Sequence, residues 1–366
     1  MRRQRGFTII ELLVGTAVTF VTVLAVSAAF IGYTQSFYTQ AGIRGGQASL
    51  RQTHQMVVRN LRMAGYGIEP HLAFDFPAGW RDDATRNRSD RLVFRMRDPA
   101  FNAVAASLSS TNITLTSGLP TALRKGQILQ VVCPGALAVT YARLSVPAAK
   151  GAMMVQLEPG TGAFPTLNDF NHFCFGAGSG GLAINVFKID VYDYSIQLID
   201  DDGRPGTPSR PYLFRRHGLD EKDPDAFGEP VAEDIEAMRL TFLSADGTIL
   251  TLNPAANPPN PFYPPYNEPL DPGSPANIRA VRVALVARTS TRDSGIAPGV
   301  MNKIPAFADR PELDAPYGFR RILSEMSVQV RNMRSSEMPI PVYSLDSATN
   351  ACKGVLPEDD FNCAGG

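Results

Sequence analysis

The chain has 366 residues, enough for one large domain or two ordinary ones, and its 35 Lys and Arg balance its 35 Asp and Glu. This neutral balance gives no indication of binding to nucleic acid or to an anionic surface. Its four cysteines form no CxxC pair and its four histidines are spread along the chain, which argues against a zinc centre, a redox motif or a bound cofactor.

The N-terminal segment combines a basic leader with a long apolar run. Three arginines lie within the first six residues, and no charged residue occurs from Leu12 to Gly32. As a helix this run would measure about 30 Å, enough to cross a bilayer. The positive leader predicts a cytoplasmic N-terminus and an exported C-terminal body. A cleaved secretory signal would have a shorter apolar region.

Glu11 is unusual because it precedes this apolar run almost directly. A carboxylate inside a membrane helix costs a few kcal/mol, so such a residue generally has a partner. If the chain is cut after Gly6, Phe7 gains a free ammonium one helical turn from Glu11, about 6 Å along the axis. Glu11 would then neutralise this ammonium or that of an adjacent subunit. The alternative is an interfacial carboxylate that reaches water.

Helical character continues beyond the apolar run. Apolar positions four and three residues apart predict an amphipathic helix whose buried face packs on the body. Gly42, Gly45 and Gly46 each cost up to about 1 kcal/mol in a helix, so we expect a bend, a melted turn or a short loop there. Gly65 and Pro70 lie where the helix should end. The residues of the buried face are Leu50, His54, Val57, Leu61 and Ala64.

Strand patterns dominate the rest of the chain. Residues 200–203 predict a hairpin turn, and residues 232–237 predict a short helix or turn. The segment 253–275 contains nine prolines and should form a surface loop. Strands are predicted at 91–96, 112–116, 127–133, 153–157, 183–194, 212–216, 238–243, 279–288 and 322–332.

The stretch GFTIIELLV at residues 6–14 closely resembles the processing site of type IV prepilins and pseudopilins. These proteins share a short basic leader, a glycine, an aromatic residue and a glutamate at the fifth mature position before a long apolar helix. The resemblance implies that prepilin peptidase cleaves between Gly6 and Phe7, that Phe7 is then N-methylated, and that Glu11 guides assembly.

The body extends the resemblance more loosely. The order of four stretches looks like the larger minor pilins of the PilW type and, more distantly, the J-type pseudopilins of type II secretion. Residues 70–230 match no named motif. The stretches are Asp234–Phe242, Ala280–Arg288, Arg320-Arg321 and Val330–Asn332.

The fold expected from these patterns and from the resemblance is α+β. A long N-terminal helix, with a transmembrane half and an amphipathic half, would pack on an antiparallel β-rich, pilin-like head with long Pro-rich loops. The expected division is a cleaved leader at 1–6, a transmembrane and filament-core helix at 7–33, its amphipathic continuation at 34–66 and a periplasmic head at 67–366.

The resemblance implies a structural subunit rather than an enzyme. It would prime a type IV pilus or sit at its tip, with links to twitching motility and cell adhesion. Prepilin peptidase, other minor and major pilins and the inner-membrane assembly machinery would be its partners. The chain would first span the inner membrane once, with its head in the periplasm, and then reach the cell surface. A J-type pseudopilin, a tip adhesin, and a membrane-anchored periplasmic binding protein or hydrolase stay open as alternatives.

The cysteines and one acidic cluster are further candidate sites. Export would permit two disulfides, Cys352 with Cys363 across a short tail loop and Cys133 with Cys174, although the latter two are alternatively free buried thiols. Clustered oxygens could ligate Ca²⁺, but these carboxylates lack the spacing and distal glutamate of an EF-hand, which favours a solvated turn without a metal. The clustered carboxylates are Asp200, Asp201 and Asp202.

Overall fold

The structure is a computed structural model of the chain, and it describes one long helix and a strand-rich head. The described residues are 8–68, 70–76, 89–109, 111–133, 138–158, 184–201, 203, 209–217, 228–244, 249, 275–293, 296–297, 299–300, 302–306, 311–333, 344–345 and 352–353. The helix and the head together have the α+β organisation that the sequence predicts.

Helix α1 spans Ile9–Leu61, 53 residues without interruption. Turns occupy residues 62–67, where glycines were expected to end the helix. The melted turn or loop expected at Gly42, Gly45 and Gly46 is not found, since α1 runs through all three. Gly42 and Gly46 instead allow the helix backbone to pack closely against the head. A Cβ on Gly46 would lie 3.3 Å from Ile322 Cδ1, and one on Gly42 would lie 3.4 Å from Thr289 Cγ2. Their lack of a side chain lets α1 approach the head.

Strands β1 to β10 form one antiparallel sheet. The 16-residue strand β8 is its centre, and it pairs with β2, β3, β5 and β9. The predicted hairpin is confirmed, because Ile199 of β8 pairs with Arg210 of β9, but residues 200–209 separate the strands rather than the predicted 200–203. In chain order, β1 to β10 are Phe74–Asp75, Leu92–Arg97, Ala103–Leu108, Asn112–Leu115, Ile128–Cys133, Ala138–Arg143, Met154–Gln156, Ile184–Ile199, Arg210–His217 and Glu229–Glu233.

The remaining strands form a three-stranded sheet and two small hairpins. In the three-stranded sheet β12 lies between β11 and β15. The hairpins pair β13 with β14 and β16 with β17. In chain order, β11 to β17 are Ile235–Leu243, Ala280–Arg288, Lys303–Ile304, Leu313–Asp314, Arg321–Gln329, Ser344–Leu345 and Cys352–Lys353.

The prediction of a short helix or turn at residues 232–237 is wrong. This segment holds the end of β10 and the start of β11, separated at Asp234, which has a left-handed backbone (φ 58°). Pairing with β9 and β12 overrides the local helix preference of its Ala and Glu residues. The predicted Pro-rich loop at 253–275 lies almost entirely outside the described residues.

The largest hydrophobic core joins α1 to both sheets. All five residues of the predicted amphipathic face are buried, which confirms that face. A second core lies within the larger sheet and includes Phe101, Ile113 and Leu129. Helix, β2, β8, β11 and β12 therefore form one packed unit, whose central residues are Leu50, Val57, Leu61, Phe94, Tyr194, Leu240 and Val283.

Candidate assembly surface on the long helix

The N-terminal half of α1 exposes its apolar side chains. Ile10 is 75% exposed, Phe20 65% and Phe30 73%, and the first buried residue of the helix is Gly46. Its most apolar window has a mean hydropathy of 2.3, with none of that window buried, and the helix is long and apolar enough to cross a membrane. Such a surface needs lipid or other apolar helices around it.

The threonines in this half do not interrupt its apolar character. Each hydroxyl donates to a backbone carbonyl one turn earlier in the same helix. The hydroxyl protons are therefore satisfied without water, as a lipid or helix-bundle environment requires. These bonds run from Thr16 to Leu13 (2.9 Å), Thr19 to Gly15 (2.8 Å), Thr22 to Val18 (2.8 Å) and Thr34 to Phe30 (2.8 Å).

Glu11 is held at the helix start by a capping box with Thr8. Its Oε2 accepts hydrogen bonds from Thr8 N (3.0 Å) and Thr8 Oγ1 (2.9 Å), and Glu11 N donates to Thr8 Oγ1 at 3.3 Å. A carboxylate there also lies at the positive end of the helix dipole. The role of Thr8 was missed from the sequence, although the Thr-x-x-Glu spacing is the signal for this cap.

The predicted processing residues Gly6 and Phe7 lie outside the described residues. Their cleavage and methylation, and the pairing of Glu11 with an N-terminal ammonium, stay predictions. The capping box nevertheless fixes where the carboxylate lies. It projects at the first turn of the helix, beside the residue that would follow the new N-terminus.

His54 lies where the second half of α1 meets β15. Its ring is only 2% exposed, and Nε2 lies 3.3 Å from the carbonyl oxygen of Ser324. Burial lowers the pKa of His54, an effect larger than the opposing hydrogen bond to Ser324. The ring is therefore neutral near pH 7, with Nε2 donating to Ser324.

The end of α1 is capped by a distant part of the chain. The Asn332 side-chain amide donates to the carbonyl oxygens of Arg62 (3.2 Å) and Ala64 (3.4 Å). At the other end of β15, Arg321 donates to both carboxylate oxygens of Glu236, at 2.6 and 3.1 Å. The body stretches singled out in the sequence thus meet beside α1, where they hold it on the three-stranded sheet.

The acidic cluster after β8 is partly neutralised by neighbouring side chains. Asp201 Oδ2 accepts from Arg210 (2.8 Å) and Tyr212 (2.9 Å), while Asp200 Oδ1 accepts from the backbone of Gly203 at 3.0 Å. Asp202 lies outside the described residues. Within the described part of the chain, no group of three or more His, Cys, Asp or Glu side chains is arranged to hold a metal.

The predicted disulfides remain predictions. Cys133 ends β5 and Cys352 begins β17, but their side chains are outside the description. Cys174 and Cys363 are outside the described residues altogether.

Comparison with known proteins supports the processing motif. Residues 1–27 match the family model described as the prokaryotic N-terminal methylation motif. None of the curated proteins matches the chain. Among solved structures, the chain is similar to the type IV-like pilin TTHA1219 from Thermus thermophilus, with 14% identity over 78% of this chain and 97% of that chain and a TM-score of 0.28. The fold described above rests on this chain's own helix and sheets. The chain carries the N-terminal methylation motif of prepilins.

Proposed function

We propose that the protein is a minor pilin of the PilW type, which primes a type IV pilus or sits at its tip. One observation carries the proposal. The methylation motif at residues 1–27 leads into a helix whose first half is apolar and exposed, while its second half is packed on a separate head. Such a chain has an anchor that can leave lipid for a helix bundle without unfolding the head.

Cleavage after Gly6 would place the ammonium of Phe7 next to the capping box. Both Thr8 contacts use Oε2 of Glu11, and Oε1 accepts no hydrogen bond from a described residue. Oε1 therefore stays available to an ammonium of the same chain or of an adjacent subunit. In a bundle with little water, this pair would favour the register in which the two charges meet.

The head supports a minor rather than a major subunit. The predicted head, residues 67–366, is large, and a head of this size at every position of a filament would crowd its neighbours. Other minor and major pilins, prepilin peptidase and the inner-membrane assembly machinery are the partners that this role requires. The head would lie in the periplasm before assembly and on the cell surface afterwards.

The first experiment is an intact mass measurement and N-terminal sequencing of the chain purified from its native cells. We expect a chain that begins at Phe7 and carries one added methyl group. A chain that still begins at Met1 would contradict the proposal and would favour a membrane-anchored binding protein or hydrolase.

Two substitutions separate the charge of Glu11 from its capping role. Glu11→Gln keeps a side chain that can complete the capping box but removes the charge, whereas Glu11→Ala removes both. We expect prepilin peptidase to cleave both variants and both to be missing from sheared filaments. Normal incorporation of Glu11→Gln would show that the charge is not needed for assembly.

Deletion of the chain from its native cells distinguishes a pilin from a J-type pseudopilin. Deletion of a minor pilin should remove surface filaments, while deletion of a pseudopilin should block secretion of folded exoproteins. If deletion leaves filaments assembled but abolishes attachment to surfaces, the chain acts as an adhesin.

A further inference from the structure

Four arginines line one side of the second half of α1. Arg44, Arg51, Arg59 and Arg62 are all exposed, and they follow one another at intervals of seven, eight and three residues. At about 100° per residue, all four lie about 120–160° around the axis from the buried residue Val57. Arg44, Arg51 and Arg62 therefore face away from the head, along about 27 Å of helix, while the charge of Arg59 also acts on the phenol of Tyr192 in β8.

None of these arginines has a carboxylate partner in the described part of the chain. No described Asp or Glu side chain lies within 4.0 Å of their guanidinium groups. The sequence contains no acidic residue between Glu11 and Glu69, so compensation along the helix is also absent. Arg59 and Arg62 lie three residues apart, a spacing at which like charges repel each other.

Arginines of the head behave differently. Arg91 pairs with Asp193 at 2.7 Å, and Arg321 pairs with Glu236 at 2.6 Å. Arg210 contacts three carboxylates within 3.0 Å. These three arginines of the head thus have carboxylates beside them, whereas the four arginines of α1 have none among the described residues.

The basic row continues an aromatic row on the same side of the helix. Phe30, Tyr33 and Phe37 are 73%, 83% and 67% exposed, and they lie about 120–180° from Val57. Together the two rows advance in steps of three, four, seven and eight residues, the pattern of a helix-packing surface. We call this surface the outer seam: Phe30, Tyr33, Phe37, Arg44, Ala48, Arg51, Gln55, Arg59 and Arg62.

We propose that the outer seam docks a parallel α-helix of a second, non-identical subunit, apolar opposite the aromatic row and acidic opposite the arginines. This inference rests on the proposed function, since membrane-anchored subunits with heads on one side present parallel helices. Charge complementarity selects the partner. A second copy of this chain would set arginines against arginines, a juxtaposition that costs several kcal/mol.

A copy of the chain whose four seam arginines are replaced by glutamate can stand in for the proposed acidic partner helix. The full-length wild-type chain and a second, differently tagged copy are co-expressed in one membrane, extracted in mild detergent and purified through one tag. With R44E/R51E/R59E/R62E as the second copy, we expect about tenfold more co-purification than with a wild-type second copy. Raising the salt to about 1 M, where the Debye length is about 3 Å, should remove most of this gain.

The matched control makes the same change of charge away from the seam. Arg124, Lys125, Lys150 and Arg331 are exposed and belong to the head. The second copy R124E/K125E/K150E/R331E should co-purify no better than wild type. Equal recovery of the two reversed copies, or no gain with the seam-reversed copy, would overturn the proposal.

The native cells give a second readout that separates this inference from the proposed function. We expect R44E/R51E/R59E/R62E to be cleaved normally but reduced at least about tenfold in sheared filaments, while the control variant is incorporated like wild type. Normal incorporation of the seam variant would overturn the docking proposal alone. Absence of the wild-type chain from filaments would instead overturn the proposed function.

Discussion

The two halves of α1 belong to one continuous helix but have opposite surroundings. In the second half, Leu50, Val57 and Leu61 are almost completely buried against the head. In the first half, Leu24 is 53% exposed and Phe30 73%. The second half therefore contributes to the stability of the head, whereas the first half presents apolar surface to something outside the chain.

Stability and assembly are therefore separable in this helix. A substitution in the second half should act on the unfolding of the head. A substitution in the first half should act on insertion, cleavage or subunit packing, with the head intact.

The largest effect is expected from Leu61→Ala. Leu61 is 0% exposed, and truncation of such a core residue costs about 2–5 kcal/mol of unfolding free energy. The matched control is Leu24→Ala in the exposed half, which should change that free energy by less than about 0.5 kcal/mol. Denaturant unfolding of the full chain in detergent measures both. Similar losses of unfolding free energy in the two variants would mean that both halves of α1 contribute to the stability of the head.

Acidification should weaken the contact between the second half and the head through His54. Burial lowers the pKa of His54 from its ordinary value of 6.5, so the unfolded chain binds the proton more readily than the folded chain. This stability is present above pH 6.5 and declines as the pH falls below it, by at most about 1.4 kcal/mol per pH unit.

The His54 prediction is checked by unfolding at about pH 7.5 and pH 5.5, on either side of the histidine range. His54→Gln keeps a donor for Ser324 but does not titrate. The wild type should lose more stability on acidification than this variant. Equal losses would assign the pH dependence to other groups.

Asn332→Ala should remove the cap at the end of α1. Two carbonyl oxygens, those of Arg62 and Ala64, would lose their donor, at a cost of about 1 kcal/mol. The neighbouring variant Arg331→Ala is a control, because Arg331 is exposed. Denaturant unfolding should rank Asn332→Ala below Arg331→Ala in stability, and the reverse order would contradict the capping role.

The smallest effect on the head is expected from Thr8→Ala. Loss of the capping box should speed amide exchange at Glu11 roughly fivefold, while global unfolding stays unchanged. Thr16→Ala is the comparison, because the Thr16 hydroxyl bonds to Leu13 within the helix and caps nothing. Faster exchange throughout the head in Thr8→Ala would show that the two halves of α1 are coupled.

Local patterns were sufficient for much of the fold. The three- and four-residue spacing identified the buried face of α1, and clear alternation identified β4 and β12. Strand β3 was missed because its small residues, Ala103, Ala105 and Ala106, carry little strand signal, whereas Val139, Thr140 and Tyr141 of β6 did offer such a signal. The strand start at Ile235 was missed because pairing with β12 overrode a local helix preference.

The residues of the candidate site also fall into two groups, those recognisable from the sequence and those recognisable only from the structure. Gly6, Phe7 and Glu11 are recognisable from their spacing alone, and the Thr8 cap could have been found from the same stretch. The Asn332 cap could not, since 270 residues separate it from Arg62. The packing role of Gly46 also depends on Ile322, a residue on a different element.

The arginines at positions 2, 3 and 5, the methylation motif and an apolar helix long enough to span a membrane were all recognisable in the sequence. These features depend on the order and period of neighbouring residues, which are independent of the rest of the fold. The pairing of particular arginines with carboxylates, and the close approach of α1 to the head at Gly46, became visible only in the three-dimensional structure. Those outcomes depend on strand pairing between distant segments, and they leave the outer seam of α1 facing away from the head.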